Sequence, residues 1–176
     1  RGDVTENDVK ILELSALKGV FTPLSEEQVS YVNAPVIAKD RGVEAVLVTD
    51  ADAGDHRNLV RVRLALTDGT SLRIGGTLSG PRNLAKLVEI DDFDLEVPLS
   101  EHLVVLRYAD RPGVVGAVGG ALGHAGINIG GMQVSRDAVG GEAVMVLTVD
   151  ASPGSEVLAT IAGEIEADQV QSVDLV

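Results

Sequence analysis

The chain has 176 residues and no cysteine, which excludes disulfides, cysteine zinc sites, iron–sulfur ligation and thiol catalysis within it. Its net charge of −13 disfavours nucleic-acid phosphates and anionic membranes as partners, and no apolar run reaches the roughly 18 to 20 residues of a membrane span. Hydrophobic residues make up 45% with a mean hydropathy of +0.21, but only two Tyr and two Phe are present, so any core is built of Val, Leu, Ile and Ala.

The N-terminus, RGDVTENDVK, is charged and unlike a signal peptide, so a cytoplasmic setting is expected. Arg rather than Met at position 1 suggests a piece of a longer polypeptide. Capping residues Thr5 to Asp8 precede Val9, Ile11, Leu12, Leu14 and Leu17, whose spacing predicts a helix over 8–20. Residues 28–32 lean towards strand, and Asn33-Ala34-Pro35 reads as the cap and first turn of a short helix ended by Gly42. Val43 to Val48 predicts a strand and DADAGDHRN, 50–58, an exposed loop. Alternation over 59–66, a Thr-Asp-Gly-Thr turn and 71–74 make a hairpin; 84–90 and 93–97 suggest a second pairing, and Val97-Pro98-Leu99-Ser100 closes a first domain, 1–100.

A second domain, 101–176, starts with the apolar run Leu103 to Leu106 and breaks at Asp110-Arg111-Pro112-Gly113. Asp110 is placed to cap the helix that follows, whose apolar face is Val115, Val118 and Leu122. Four glycines in that helix, 116, 119, 120 and 123, predict close packing against a sheet, and Gly126 suits a left-handed helix end. Gly130-Gly131 should bulge the strand 127–134, the turn 137–141 leads to a strand over 143–149, and Ser152-Pro153 opens a helix with Val157, Leu158, Ile161 and Ile165 inward. With a last strand over 170–175 the order is βαββαβ, a ferredoxin-like arrangement; the whole chain is of α+β class, an N-terminal α/β domain followed by this one.

Catalytic signatures are missing. No two glycines are separated by a single residue, so the dinucleotide loop G-x-G-x-x-G is absent, as are the P-loop and the G-x-S-x-G elbow. His56, His102 and His124 are too scattered for a metal pair, so no metal, no catalytic residue and no cofactor is assigned to this chain. What remains is a polar cluster, Tyr108, Asp110 and Asn128, next to the amides of a helix start over 111–115. That chemistry suits a small zwitterion: the helix start favours its carboxylate and Asp110 or the Asn128 carbonyl its ammonium. The same residues also suit plain structural work, Asp110 as a cap and Asn128 as a turn former. A weaker cluster is cationic: Lys86, Arg61, Arg63 and Arg82 form a possible anion site or a solvated hairpin surface.

The segment Tyr108-Ala109-Asp110-Arg111-Pro112-Gly113, a helix, and Gly126-Ile127-Asn128-Ile129 resembles an ACT domain, the ligand-binding regulatory module of amino-acid metabolism. LSALKGVF at 14–21, YVNAP at 31–35 and SGPRNLAKLVEID at 79–91 are similar to the intervening domain of long-form D-3-phosphoglycerate dehydrogenases. The resemblance implies a regulatory and oligomerisation region whose parent oxidises 3-phosphoglycerate with NAD in the first step of L-serine synthesis. It further implies L-serine as feedback effector, held by Tyr108, Asp110 and Asn128 between two ACT domains paired side by side, and a homo-oligomer. Some relatives carry a second anion site in the intervening domain; Lys86 matches one of its basic residues, while Asp91, Asp92 and Glu96 depart from the pattern. The alternatives are the regulatory segment of an L-serine dehydratase and a free-standing amino-acid-binding ACT module.

Overall fold

A computed structural model describes residues 1–175; Val176, the expected end of the second domain, lies outside the described residues. Packing groups the chain into two units, Arg1–Val62 and Arg63–Val176, and each is taken by itself.

In the first unit, helices α1 (Lys10–Phe21) and α2 (Ala34–Asp40) bury Leu17, Phe21, Val29, Ala34 and Ala38 against each other. The expected helix over 8–20 starts two residues later: Asp8 accepts the Lys10 N–H at 3.0 Å, so the carboxylate holds the entry rather than the Thr5 side of the motif. Pro35 sits in the first turn of α2 as expected, but Asn33 does not cap it; its Oδ1 accepts from the Ser30 N–H at 2.6 Å, and this turn replaces the strand expected over 28–32. Gly42, at φ +69°, ends α2. The strand expected over 43–48 does not form. Beyond Val43 N–H to Ala38 O, no described residue hydrogen-bonds to its backbone, and a strand without a ladder is only an extended run.

Strand β1 (Val60–Ala65) crosses the division between the units, and β2 (Ser71–Ser79), β3 (Leu84–Ile90) and β4 (Phe93–Pro98) follow it in a sheet of order β1-β2-β3-β4. These are the two hairpins read from the sequence. The rest is β5 (His102–Ala109), α3 (Val114–His124), β6 (Ile129–Arg136), β7 (Glu142–Val149), α4 (Ser155–Ile165) and β8 (Gln169–Asp174). They form a second sheet of order β6-β7-β5-β8, with every pairing antiparallel, which is the ferredoxin-like βαββαβ topology. The bulge expected at Gly130-Gly131 is present as a register shift between Ile129 and Gly131, where a side chain on Gly131 would meet the Thr148 hydroxyl at 3.1 Å.

Both faces of this second sheet are covered. On one, Val104, Leu106, Tyr108, Met145 and Leu147 pack with Val118 and Leu122 of α3 and Ile161 and Ile165 of α4. On the other, Leu103, Val144 and Val146 meet Leu87, Phe93, Leu95 and Val97 of β3 and β4. That two-sided cover explains why β7 reads as a continuous apolar run instead of alternating. An ion pair ties the layers: Arg107 on β5 reaches Asp91 in the β3–β4 turn at 2.7 Å and lies over the Phe93 ring.

The glycines of α3 correct an expectation. Cβ atoms at 116, 119, 120 and 123 would meet nothing within 4 Å, so these residues face open space instead of drawing the helix onto the sheet; Val118 and Leu122 make that contact. The helix end is as read. Gly126 at φ +73° donates to Gly123 O while Ile127 donates to Leu122 O, a Schellman closure.

Candidate functional site

Strand β5 delivers Tyr108 and, just past its end, Asp110. Tyr108 points to the helix face and is 2% exposed, within the core formed with Val114 and Val118, so its ring shapes the floor under the first turn of α3. Burial, reinforced by the nearby Asp110 charge, pushes its phenol above the ordinary value of 10.0.

Asp110 does not cap α3. The N-cap is Gly113 at φ +95°, which no side chain serves, and the first intrahelical bond is Ala117 N–H to Gly113 O. The amides of Val114 to Gly116 therefore precede the helical ladder and mark its positive end. The Asp110 carboxylate turns instead towards the β6–β7 hairpin, accepting from Arg136 Nη1 at 3.1 Å and the Gly140 N–H at 3.4 Å, while its own N–H donates to Gly141 O at 2.7 Å. A carboxylate offers about four lone-pair positions, so Asp110 retains capacity for an ammonium donor. Arg136 was missed by the sequence reading; only the register of β6 on β7, Arg136 opposite Ala143, brings it to the end of β5.

Asn128 sits just ahead of β6. Its N–H donates to Asp150 Oδ1 at 2.9 Å and its carbonyl accepts from the Asp150 N–H at 3.1 Å, so the backbone carbonyl is already engaged. The side-chain amide is exposed and makes no hydrogen bond among the described residues.

The structure brings Tyr108 and Asp110 together but not Asn128. Ile129 pairs with Val149, opposite the start of β5, whereas Arg136 lies by the end of β5. Eight residues of β6 at about 3.3 Å each put Asn128 roughly 25 Å from Asp110 within one chain.

Of the cationic residues, Arg61 and Arg63 are exposed on β1, Arg82 is exposed in the β2–β3 turn, and Lys86 on β3 is bound to Glu96 at 2.9 Å. Arg73, in the same cationic stretch, has a built environment of carboxylates: Glu89 at 3.0 Å and Asp92. No group of three or more His, Cys, Asp or Glu side chains suited to a metal occurs among the described residues, and no described helix is long and apolar enough to cross a membrane.

Comparison with known proteins gives two family matches: the D-3-phosphoglycerate dehydrogenase intervening domain over residues 1–91 and the ACT domain over 102–166. The D-3-phosphoglycerate dehydrogenase of Mycobacterium leprae is 38% identical over 175 residues, 99% of this chain and 33% of its own length. Those of Synechocystis sp. and Methanocaldococcus jannaschii are 32% and 31% identical, over 85% and 91% of this chain. The chain thus spans about a third of the length of these relatives.

Proposed function

Since the chain belongs to the D-3-phosphoglycerate dehydrogenase family, with its intervening and ACT domains, we propose that it senses L-serine and assembles subunits. The NAD-dependent oxidation of 3-phosphoglycerate then belongs to polypeptide outside these residues, in a cytoplasmic enzyme. In this reading the functional modules are 1–100 and 101–176, and the chain binds no cofactor of its own.

One observation carries the proposal: Asp110 and Asn128 stand at opposite ends of the sheet. A site using both needs two copies. Strand β6 is an edge of its sheet. Met132 and Val134 lie on its helix-side face and are 43% and 38% exposed among the described residues. An antiparallel pairing of β6 with β6 of a second copy about a two-fold axis, centred near Met132 and Gln133, sets residue 128 of one copy opposite residue 136 or 137 of the other. Arg136 is bonded to Asp110, so Asn128 of the second copy arrives beside Asp110 and the free amides of α3. Serine bound there would place its carboxylate at the helix start, its ammonium at Asp110 and its hydroxyl at the Asn128 amide. Pairing also covers an apolar edge that would otherwise invite aggregation.

Calorimetry of the 176-residue chain with L-serine, D-serine and L-alanine, beside sedimentation, tests this. L-Serine should bind to a dimer, and L-alanine, leaving the polar groups around the hydroxyl unpaired, roughly ten- to a hundredfold less well. Asn128→Ala should weaken serine by a similar factor while the dimer and its melting temperature hold. No heat and no melting shift at millimolar serine, or a monomer throughout, would defeat the reading.

A further inference from the structure

We propose that Asp150 is a specificity-determining residue of the effector site: it holds Asn128 in place and turns away amino acids with an acidic side chain. This rests on the serine site proposed above, in which Asn128 of one copy meets Asp110 of another. The rung beside Asn128 is irregular. Pairing of Ile129 with Val149 sets Asn128 opposite Asp150, and a hydrogen-bonded antiparallel pair exchanges two backbone bonds. Backbone makes one of them, from the Asp150 N–H to Asn128 O at 3.1 Å. At Asp150 the chain bends, and the Asn128 N–H donates to the carboxylate Oδ1 instead, at 2.9 Å.

A side chain therefore fixes the backbone from which the Asn128 amide projects. Ile127 and Ile129 on either side of it pack on the helix-side core, which leaves Asn128 outward and exposed. An asparagine at position 150 offers the same acceptor oxygen, so holding Asn128 does not require a charge. What the aspartate adds is a negative charge without a counterion. The Asp110 carboxylate is offset by Arg136 at 3.1 Å, whereas Asp150 is exposed and forms no ion pair among the described residues.

That charge travels with Asn128 to the end of the site where the effector's side chain lies. A hydroxyl there is neutral and both gives and accepts a hydrogen bond, so the Asn128 amide satisfies it at no electrostatic cost. A carboxylate in the same place stands about 6 Å from Asp150, and like charges at that distance cost about threefold in affinity at the dielectric of water and more where protein displaces it. The site discriminates by repulsion at the effector's side chain as well as by attraction at its ammonium.

The test is competition calorimetry against L-serine with L-asparagine and L-aspartate, which differ in charge and hardly in shape, on the 176-residue chain and its Asp150→Asn and Asp150→Ala variants. Asp150→Asn keeps the acceptor for the Asn128 N–H, so L-serine should bind within about twofold of the parent while the affinity for L-aspartate relative to L-asparagine rises at least about threefold. Asp150→Ala loses the rung and should bind L-serine about tenfold less well, with the dimer retained in sedimentation. If that variant does not fold, the ratio in Asp150→Asn decides alone. The proposal is overturned if the ratio does not rise, if L-aspartate competes with neither chain, if Asp150→Asn loses as much serine affinity as Asp150→Ala, or if Asp150→Ala binds serine as the parent does. Asn128→Ala separates this from the serine site itself. Where it weakens serine and the Asp150 variants behave as the parent, the site stands and the role of Asp150 falls; where the parent binds no serine, both fall.

Discussion

Val104 and Leu106 in β5 are fully buried, while Val46 and Val48, in the apolar run 43–48, are 74% and 76% exposed. Both runs satisfy the same sequence criteria for a strand. The difference is in neighbours: β5 has β7 on one side and β8 on the other, with helices over one face and β3 and β4 over the other, whereas no strand pairs with 43–48 among the described residues. Strand propensity describes how well a side chain fits a pleated surface, and the surface has to be supplied by other strands.

The sharpest way to break this comparison is to truncate one residue from each run. Leu106→Ala removes a side chain with no room to relax and should destabilise the Arg63–Val176 unit by about 2 to 5 kcal/mol, while Val48→Ala should change stability by no more than about 0.5 kcal/mol. Urea unfolding of both variants measures it; a comparable loss from Val48→Ala would mean that 43–48 is already buried in solution.

A smaller effect is expected where the two faces of the second sheet are tied. Arg107 pairs with Asp91 at 2.7 Å with both side chains partly covered, and it stacks on Phe93. Arg107→Ala should cost about 1 to 2 kcal/mol. A double-mutant cycle with Asp91→Asn, a residue that accepts the φ of +49° at this turn, should return a coupling of about 1 kcal/mol. Zero coupling would leave the apolar contact of β3 and β4 as the whole tie.

The smallest effects are on pH. Hydrogen bonds from His102 and then Ser152 hold the Asp174 carboxyl below its ordinary 3.8. A depressed carboxylate adds stability above that unfolded value and loses it as pH falls through the folded one, so Asp174→Asn should be less stable than the parent at pH 7 and equal to it in strong acid. Tyr108 runs the other way. Its phenol is raised, so its contribution is intact below 10.0 and is lost as pH rises through the folded value, which a spectroscopic phenolate titration should place above 10.0.

Much of this molecule could be read from residue order alone, because the information was local. The two hairpins, the helix 114–124 with its Gly126 closure, the glycine bulge at 130–131 and the stripe of α4 each depend on residues a few positions apart. The same holds for the family, whose residues lie in short contiguous stretches. The amino-acid sequence also named Asp110 and Asn128, but it placed them in one cluster, since strand order and direction are invisible in a one-dimensional pattern. Pairing decides that they stand at opposite ends of the sheet, that Arg136 and not the helix start holds the Asp110 carboxylate, and that the glycines of α3 face outward. Tertiary structure alone settles whether an apolar run becomes a strand, because the hydrogen bonds that define one come from residues far away in the chain, and for 43–48 none of the described residues provides them.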